Sequence, residues 1–321
     1  MLLVTGAAGH VGAVIARQAA ERGARVLATY RPGQGNAPVP AEASPGVTWE
    51  PCELTDPAAV RGLADLYQID ACIHAAAVSN EAYAKGDPLG AIASNVGATA
   101  NLLDTARLAK WRRFILVSTG SVFQRPHDIA TPIIEDATPT PVNIYGTTKC
   151  AAEMLTAMYR TQFAVSAATV RISWVFGPPI VSVDPPRGPV PSFLVRTLRG
   201  EKIRETGGDF AASFTYVADA AAGLIAAALA PDLRHPVYHL GHGVNFGAAE
   251  VAAAVRAAVP SADIELGGGT EPWTRFTTLR APLAGQRLRD DTGFVVGHSL
   301  EAGVRAYAEW LQTHPERWRT G

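Results

Sequence analysis

Tyr145 and Lys149 stand four residues apart in Tyr145-Gly146-Thr147-Thr148-Lys149. On a helix that spacing puts both side chains on one face, within reach of one ligand. A free tyrosine, with a pKa near ~10, is a poor base at neutral pH. A neighbouring ammonium favours its phenolate, and so does a place near the helix start, where the dipole is positive. Tyr145 so placed takes a proton from an alcohol or returns one to a carbonyl. With eight Tyr and four Lys in 321 residues, chance gives this pattern about 0.1 times. The pair therefore needs a second signal.

That signal is Thr5-Gly6-Ala7-Ala8-Gly9-His10-Val11-Gly12. The segment follows an apolar run and opens a helical one. Gly6 permits a tight turn, Gly9 a close backbone approach to a pyrophosphate, and Gly12 close packing of helix on strand. The helix that starts at His10 and Val11 offers free N–H groups to phosphates. A dinucleotide is the implied ligand, and a nicotinamide fits the Tyr–Lys pair. An acid after the second strand would bind the ribose hydroxyls of NAD. Here Thr29-Tyr30-Arg31-Pro32 has none. Arg31 faces a 2′-phosphate, stacks on adenine, or points to water; the first of these favours NADP over NAD.

A third group comes from Phe114–Phe123, a strand whose end lies where an open α/β sheet puts its crevice. Thr119 is the candidate to orient the reacting oxygen, with Ser118 and Ser121 as alternatives and turn capping as the structural reading. Ser79, Asn80 and Ser121, with Gly120 among them, are candidates to meet substrate hydroxyls. Trp174 offers an apolar wall or stacking face, or simply packs the core.

These residues need a frame. Strands are expected at Met1–Thr5, Arg25–Tyr30, Thr48–Glu50, Ala71–Ala75, Phe114–Ser118 and Ser166–Arg171. Helices are expected at His10–Arg22, Pro57–Tyr67, Leu89–Leu108 and Tyr145–Thr161. The alternation predicts an α/β, Rossmann-type doubly wound parallel sheet. Residues 1–175 form the dinucleotide-binding domain. Residues 176–321 form a smaller substrate-binding α/β portion, with crossing between the two allowed. Leu300–Gln312 reads as an amphipathic terminal helix.

Charge is balanced, with 28 basic and 29 acidic residues, so nucleic acid is not an expected partner. No apolar run approaches ~20 residues, and the chain opens directly on a strand pattern without a leader. Three cysteines without ligand spacing and scattered histidines predict no metal and a reducing cytoplasm.

Several segments together resemble one family. They are Thr5–Gly12, Glu53-Leu54-Thr55-Asp56, His74-Ala75-Ala76-Ala77, Asn95-Val96-Gly97-Ala98-Thr99, Val117–Phe123, Tyr145–Lys149, Arg171–Pro178 and Phe214-Thr215-Tyr216-Val217-Ala218-Asp219. The chain resembles the extended short-chain dehydrogenase/reductase superfamily, in particular its NAD-dependent epimerase/dehydratase group. The resemblance implies that Thr119, Tyr145 and Lys149 are catalytic. It implies that Glu53 and Leu54 lie near adenine and that Ala75, Ala76 and Ala77 line the cofactor. Ser94 and Asn95 would lie behind the nicotinamide side, and Ile172 would contact the nicotinamide. It also implies a homodimer that pairs the helices at 89–108 and 145–161.

Two departures bear on substrate. Dehydratases of the group carry Asp-Glu after the catalytic Ser/Thr; here Gly120 and Ser121 stand there, which removes the acid that dehydration needs. Many nucleotide-sugar enzymes carry Arg-Asp before the aromatic at Phe214; here it is Ala212-Ser213, without a guanidinium for a diphosphate. The expected activity is NAD(P)-dependent hydride transfer at a secondary hydroxyl or ketone of a small non-nucleotide sugar, sugar acid or polyol. An epimerase with tightly held NAD is the alternative. A non-catalytic sensor is a third reading, although such proteins often lose the Tyr–Lys pair.

Overall fold

The apolar runs become strands buried on both faces. In a computed structural model, which describes residues 1–33, 45–125, 129–179 and 187–318, seven strands form one parallel sheet. These are β1 (Leu2–Thr5), β2 (Val26–Tyr30), β3 (Val47–Pro51), β4 (Ala71–His74), β5 (Arg113–Thr119), β6 (Ala167–Ile172) and β11 (Val237–Leu240), in the order β11-β6-β5-β4-β1-β2-β3. Leu2 and Val4 of β1 join one core and Leu3 joins the other. Both faces must therefore be covered, as a continuous apolar run requires.

The covers are helices. α1 (His10–Glu21) and α8 (Val217–Leu229) pack together on one face. On the other lie α2 (Pro57–Leu66), α5 (Ala98–Leu108) and α6 (Ile144–Phe163). α6 starts one residue earlier than the sequence suggested, because Asn143 accepts from the Gly146 N–H at 2.8 Å, a side-chain N-cap. The helix expected at 89–108 is continuous from Pro88 to Leu108 but winds wider at one point. α3 (Glu81–Gly86) and α4 (Pro88–Ile92) lead into a π turn at Ala93–Gly97 before α5 begins. Asn95 is fully buried there. Its side chain bonds the N–H and C=O of Val78 and the Thr148 hydroxyl.

Past residue 175 the chain leaves this sheet and re-enters it with α8 and β11. Between and after these lie three two-stranded pairs. β7 (Val175–Phe176) runs parallel to β10 (Thr215–Tyr216), and β8 (Ile203–Glu205) parallel to β13 (Ile264–Leu266). β9 (Ala211–Ala212) is antiparallel to β12 (Phe246–Gly247). α7 (Pro189–Leu198), α9 (Ala248–Ala258) and α11 (Leu300–Thr313) pack on one another, while α10 (Gln286–Thr292) lies against β11. α11 buries Leu300, Val304, Tyr307, Ala308 and Leu311, the three-and-four spacing of an amphipathic helix. No described helix is long and apolar enough to cross a membrane.

A buried ion pair fastens α6 to the sheet. Arg171 of β6 meets Glu153 at 2.6 Å, with side chains 3% and 7% exposed. Ser118 of β5 also donates to Glu153, at 2.5 Å. Arg171 further donates to the Glu135 carbonyl, contacts His239 of β11 and covers the Phe123 ring. Removing one partner strands a buried charge. Glu153→Gln is expected to lower the unfolding free energy by about 3 kcal/mol, read as an earlier urea midpoint with an unchanged slope.

Candidate active site

The sheet order reverses between β1 and β4, and a crevice opens over the strand ends there. A single cleft of about 790 Å³ occupies it. The glycine turn forms its floor. Gly6 has φ +65°, and a Cβ on it would lie 2.6 Å from the Ala76 Cα; one on Gly12 would lie 2.2 Å from the Gly6 oxygen. Both positions need hydrogen for a side chain. Gly9 donates its N–H to the Gly6 carbonyl at 2.9 Å. The His10 Nε2 bonds the Gly177 carbonyl at 2.8 Å, so that nitrogen carries the proton. Burial pushes its pKa down to about 4. His10 and Val11 line the cleft, but the His10 ring is spent on Gly177.

Beneath the turn runs a one-way chain of hydrogen bonds. Ala76 N–H meets the Thr5 hydroxyl at 3.3 Å, Thr5 meets His74 Nδ1 at 2.7 Å, and His74 Nε2 meets the Thr99 hydroxyl at 3.1 Å. Thr99 donates to the Asn95 carbonyl, so His74 must donate from Nε2 and accept at Nδ1. Burial keeps its imidazole neutral, near 3. This chain sets the backbone at Ala75, Ala76 and Ala77, which line the cleft with Ser94 and Ile172.

At the far end Arg31 pairs with Glu53 at 3.4 Å, and buried Leu54 lies beside them. Partial burial pushes the Glu53 carboxyl up. Two hydrogen bonds from Thr55 and the Arg31 charge outweigh it and hold the acid below its usual range.

At the closed end α6 begins. Glu81 accepts the Tyr145 backbone N–H at 2.9 Å. The Tyr145 hydroxyl lies within the influence of Thr119, and Thr119 accepts the Ser121 N–H at 3.1 Å. Thr119 therefore caps the turn after β5 while standing beside Tyr145 in the cleft. Burial raises the Tyr145 pKa; Thr119, Arg280 and Arg187 pull it back, leaving it above the usual value. Lys149 is buried, and burial pushes it down to about 8 against the opposing pull of Glu153. The Ser118 hydroxyl points instead into the ion pair described above. That leaves Thr119 and Ser121 to present hydroxyls to the cleft from this segment.

Among the other candidates, Ser79 and Asn80 line the cleft, but the Asn80 side chain caps α3 by accepting from Tyr83 N–H. Gly120 does not line it. It is buried behind Arg280, whose Cδ would stand 3.6 Å from a Cβ there. Trp174 does both things considered for it. It packs nearly at right angles on Phe210 and Phe214 and lines the cleft, with a left-handed φ of +38° that costs backbone strain.

Two basic cleft residues escaped the sequence reading: Arg187 and Arg280. Isolated arginines in loop segments carry no spacing signature. Folding alone brings them to Tyr145. Pro272, Trp273, Phe276 and Thr277 close the same side.

The residues fit a dinucleotide, since the glycine turn floors the cleft at the start of α1, where free backbone N–H groups suit a pyrophosphate. A group bound there supplies a hydride acceptor or donor. The arrangement has a proton-exchanging group at Tyr145 Oη, a hydroxyl at Thr119 and the Lys149 side chain lining the same cleft. Oxidation of an alcohol requires Tyr145 to have lost its proton, so that rate rises with pH. Thr119 lowers the Tyr145 pKa; Thr119→Val is expected to move the rising limb of the pH–rate profile for alcohol oxidation to higher pH.

Residues 2–241 match the model of the NAD dependent epimerase/dehydratase family. A UDP-glucose 4-epimerase of Streptomyces lividans is 29% identical over 267 residues, covering 79% of this chain and 79% of that one. A dTDP-4-dehydro-6-deoxy-D-allose reductase of Streptomyces bikiniensis is 32% identical, covering 68% and 69%. The solved UDP-glucose 4-epimerase of Thermus thermophilus, in complex with NAD, superposes with a TM-score of 0.82 at 20% identity, covering 100% and 99%. The chain belongs to the NAD dependent epimerase/dehydratase family, and is an enzyme of the extended short-chain dehydrogenase/reductase type.

Proposed function

We propose that this enzyme moves a hydride between NAD and a secondary carbinol of a small non-nucleotide sugar, sugar acid or polyol. The observation that carries the reading is that Tyr145, Thr119 and buried Lys149 line one cleft with the glycine turn. In oxidation the carbinol C–H bond breaks with its electron pair leaving as hydride, and the hydroxyl proton goes to Tyr145. Thr119 holds the oxygen that becomes the carbonyl. Lys149 holds the nicotinamide ribose. Reduction runs the same steps backwards.

The named relatives act on nucleotide sugars. Against that substrate stand Ala212 and Ser213, both buried and neither able to clamp a diphosphate. The epimerase alternative, supported by the Streptomyces lividans relative, differs in releasing no net NADH.

Arg31 alone favoured NADP. Its pairing with Glu53 supports NAD instead, because a carboxylate at that place repels a 2′-phosphate and suits ribose hydroxyls. Exposed Leu89, Ile92, Met154, Met158 and Phe163 on α4 and α6 support a homodimer that pairs these helices. The free thiols of Cys52, Cys72 and Cys150 support a reducing, cytoplasmic setting.

Tyr145→Phe is expected to lower turnover by roughly 10²–10⁴-fold while NADH still binds, as followed by its fluorescence. Equal activity would remove Tyr145 from the chemistry. With wild type, kcat/KM for NAD should exceed that for NADP; the reverse result restores Arg31 as a phosphate ligand. Light scattering should give twice the chain mass, and Met154→Lys should reduce it toward the monomer.

A further inference from the structure

We propose that the substrate is a sugar acid whose carboxylate is held by Arg280 and Ser121; the inference rests on the redox reading above and narrows it. Arg280 is 7% exposed. No carboxylate among the described residues pairs with it. Its Nη1 donates to the Ser121 hydroxyl at 3.3 Å and its Nη2 to the Thr277 hydroxyl at 2.8 Å. Its Nε is buried without a partner. A guanidinium taken out of water needs a compensating charge, and two neutral hydroxyls do not supply one. Burial pushes even this guanidinium down to about 10.

The position of Arg280 says which ligand brings the missing charge. Arg187 acts on both the His10 ring and Tyr145 and so stands between the glycine turn and Tyr145. Arg280 acts on Tyr145 and not on His10. Its side chain covers Gly120 and reaches Ser121, next to Thr119. Thr119 and Tyr145 mark where the reacting oxygen sits. An anion on Arg280 is therefore carried by the substrate close to its reacting carbon. A planar guanidinium matches a carboxylate through two parallel hydrogen bonds. The cleft is also lined by Ser79 and Ser121, which suit hydroxyls on the rest of a polyhydroxy chain.

The test pairs acids with their neutral counterparts of the same stereochemistry: aldonates with alditols, uronates with aldoses. NAD-loaded enzyme is used, and turnover is read by NADH absorbance and by chromatography of products. The acid member is expected to be preferred at least about 100-fold in kcat/KM, as for a buried hydrogen-bonded charge pair. Arg280→Met should abolish that preference, and Arg280→Lys should restore only part of it. An NADH fluorescence titration verifies that each variant is folded. If neither variant folds, thermal shift of the wild-type enzyme decides: an acid product must raise the melting temperature where its neutral counterpart does not. Equal turnover of neutral and acid members overturns the inference and leaves the redox reading standing. Turnover of UDP- or dTDP-sugars alone overturns it in favour of a phosphate on Arg280. No turnover of any sugar, with Tyr145→Phe indistinguishable from wild type, removes the redox reading as well.

Discussion

Everything at the active centre hangs on one carboxylate–guanidinium contact. Glu153 and Arg171 are buried together, and burying both charges is costly unless hydrogen bonds complete their shells. Ser118, the Glu135 carbonyl and His239 complete them. The pair therefore joins α6 to β5, β6 and β11 through bonds that have little freedom to re-form elsewhere. Tyr145, Lys149 and Glu153 are spaced by four along α6, so one stripe carries the proposed base, the ammonium and the anchor. Glu153 also steadies the Lys149 charge from one turn away. The placing of α6 at the cleft is inherited from the core.

The cleft itself concentrates what the rest of the fold avoids. It holds the positive φ values of Gly6 and Trp174 and borders the π turn. It also gathers Lys149, Arg187 and Arg280, all lining one crevice. Irregular backbone and uncompensated positive charge are both unfavourable in isolation. Together they describe a site shaped for anionic ligands, with its electrostatic field already in place before they arrive.

The parallel sheet was legible because alternating apolar runs and amphipathic stretches leave few other arrangements. The glycine turn and the Tyr145–Lys149 spacing were legible because each is a local pattern with a local cause. Gly120 was less legible: its neighbours in sequence line the cleft, but it is tucked beneath Arg280, while Asn80 lines the cleft and spends its side-chain oxygen on a helix cap. Arg187 and Arg280 were invisible because their function depends on where distant segments fold, not on spacing. The π turn within the 88–108 helix was hidden too, since Asn95, buried in it, bonds residues 17 and 53 positions away.

The widened turn has a consequence for how the protein can change. A π turn is a helix carrying one residue more than its winding needs. Deleting one residue within 93–97 would therefore close it into ordinary α-helix with the flanking turns nearly in register. Leu102 and Leu103 would stay in the core, but the backbone bulge that carries Asn95 to Val78 and Thr148 would be gone. The surplus residue serves the contact, not the helix, and a shorter chain would keep the scaffold while losing the brace.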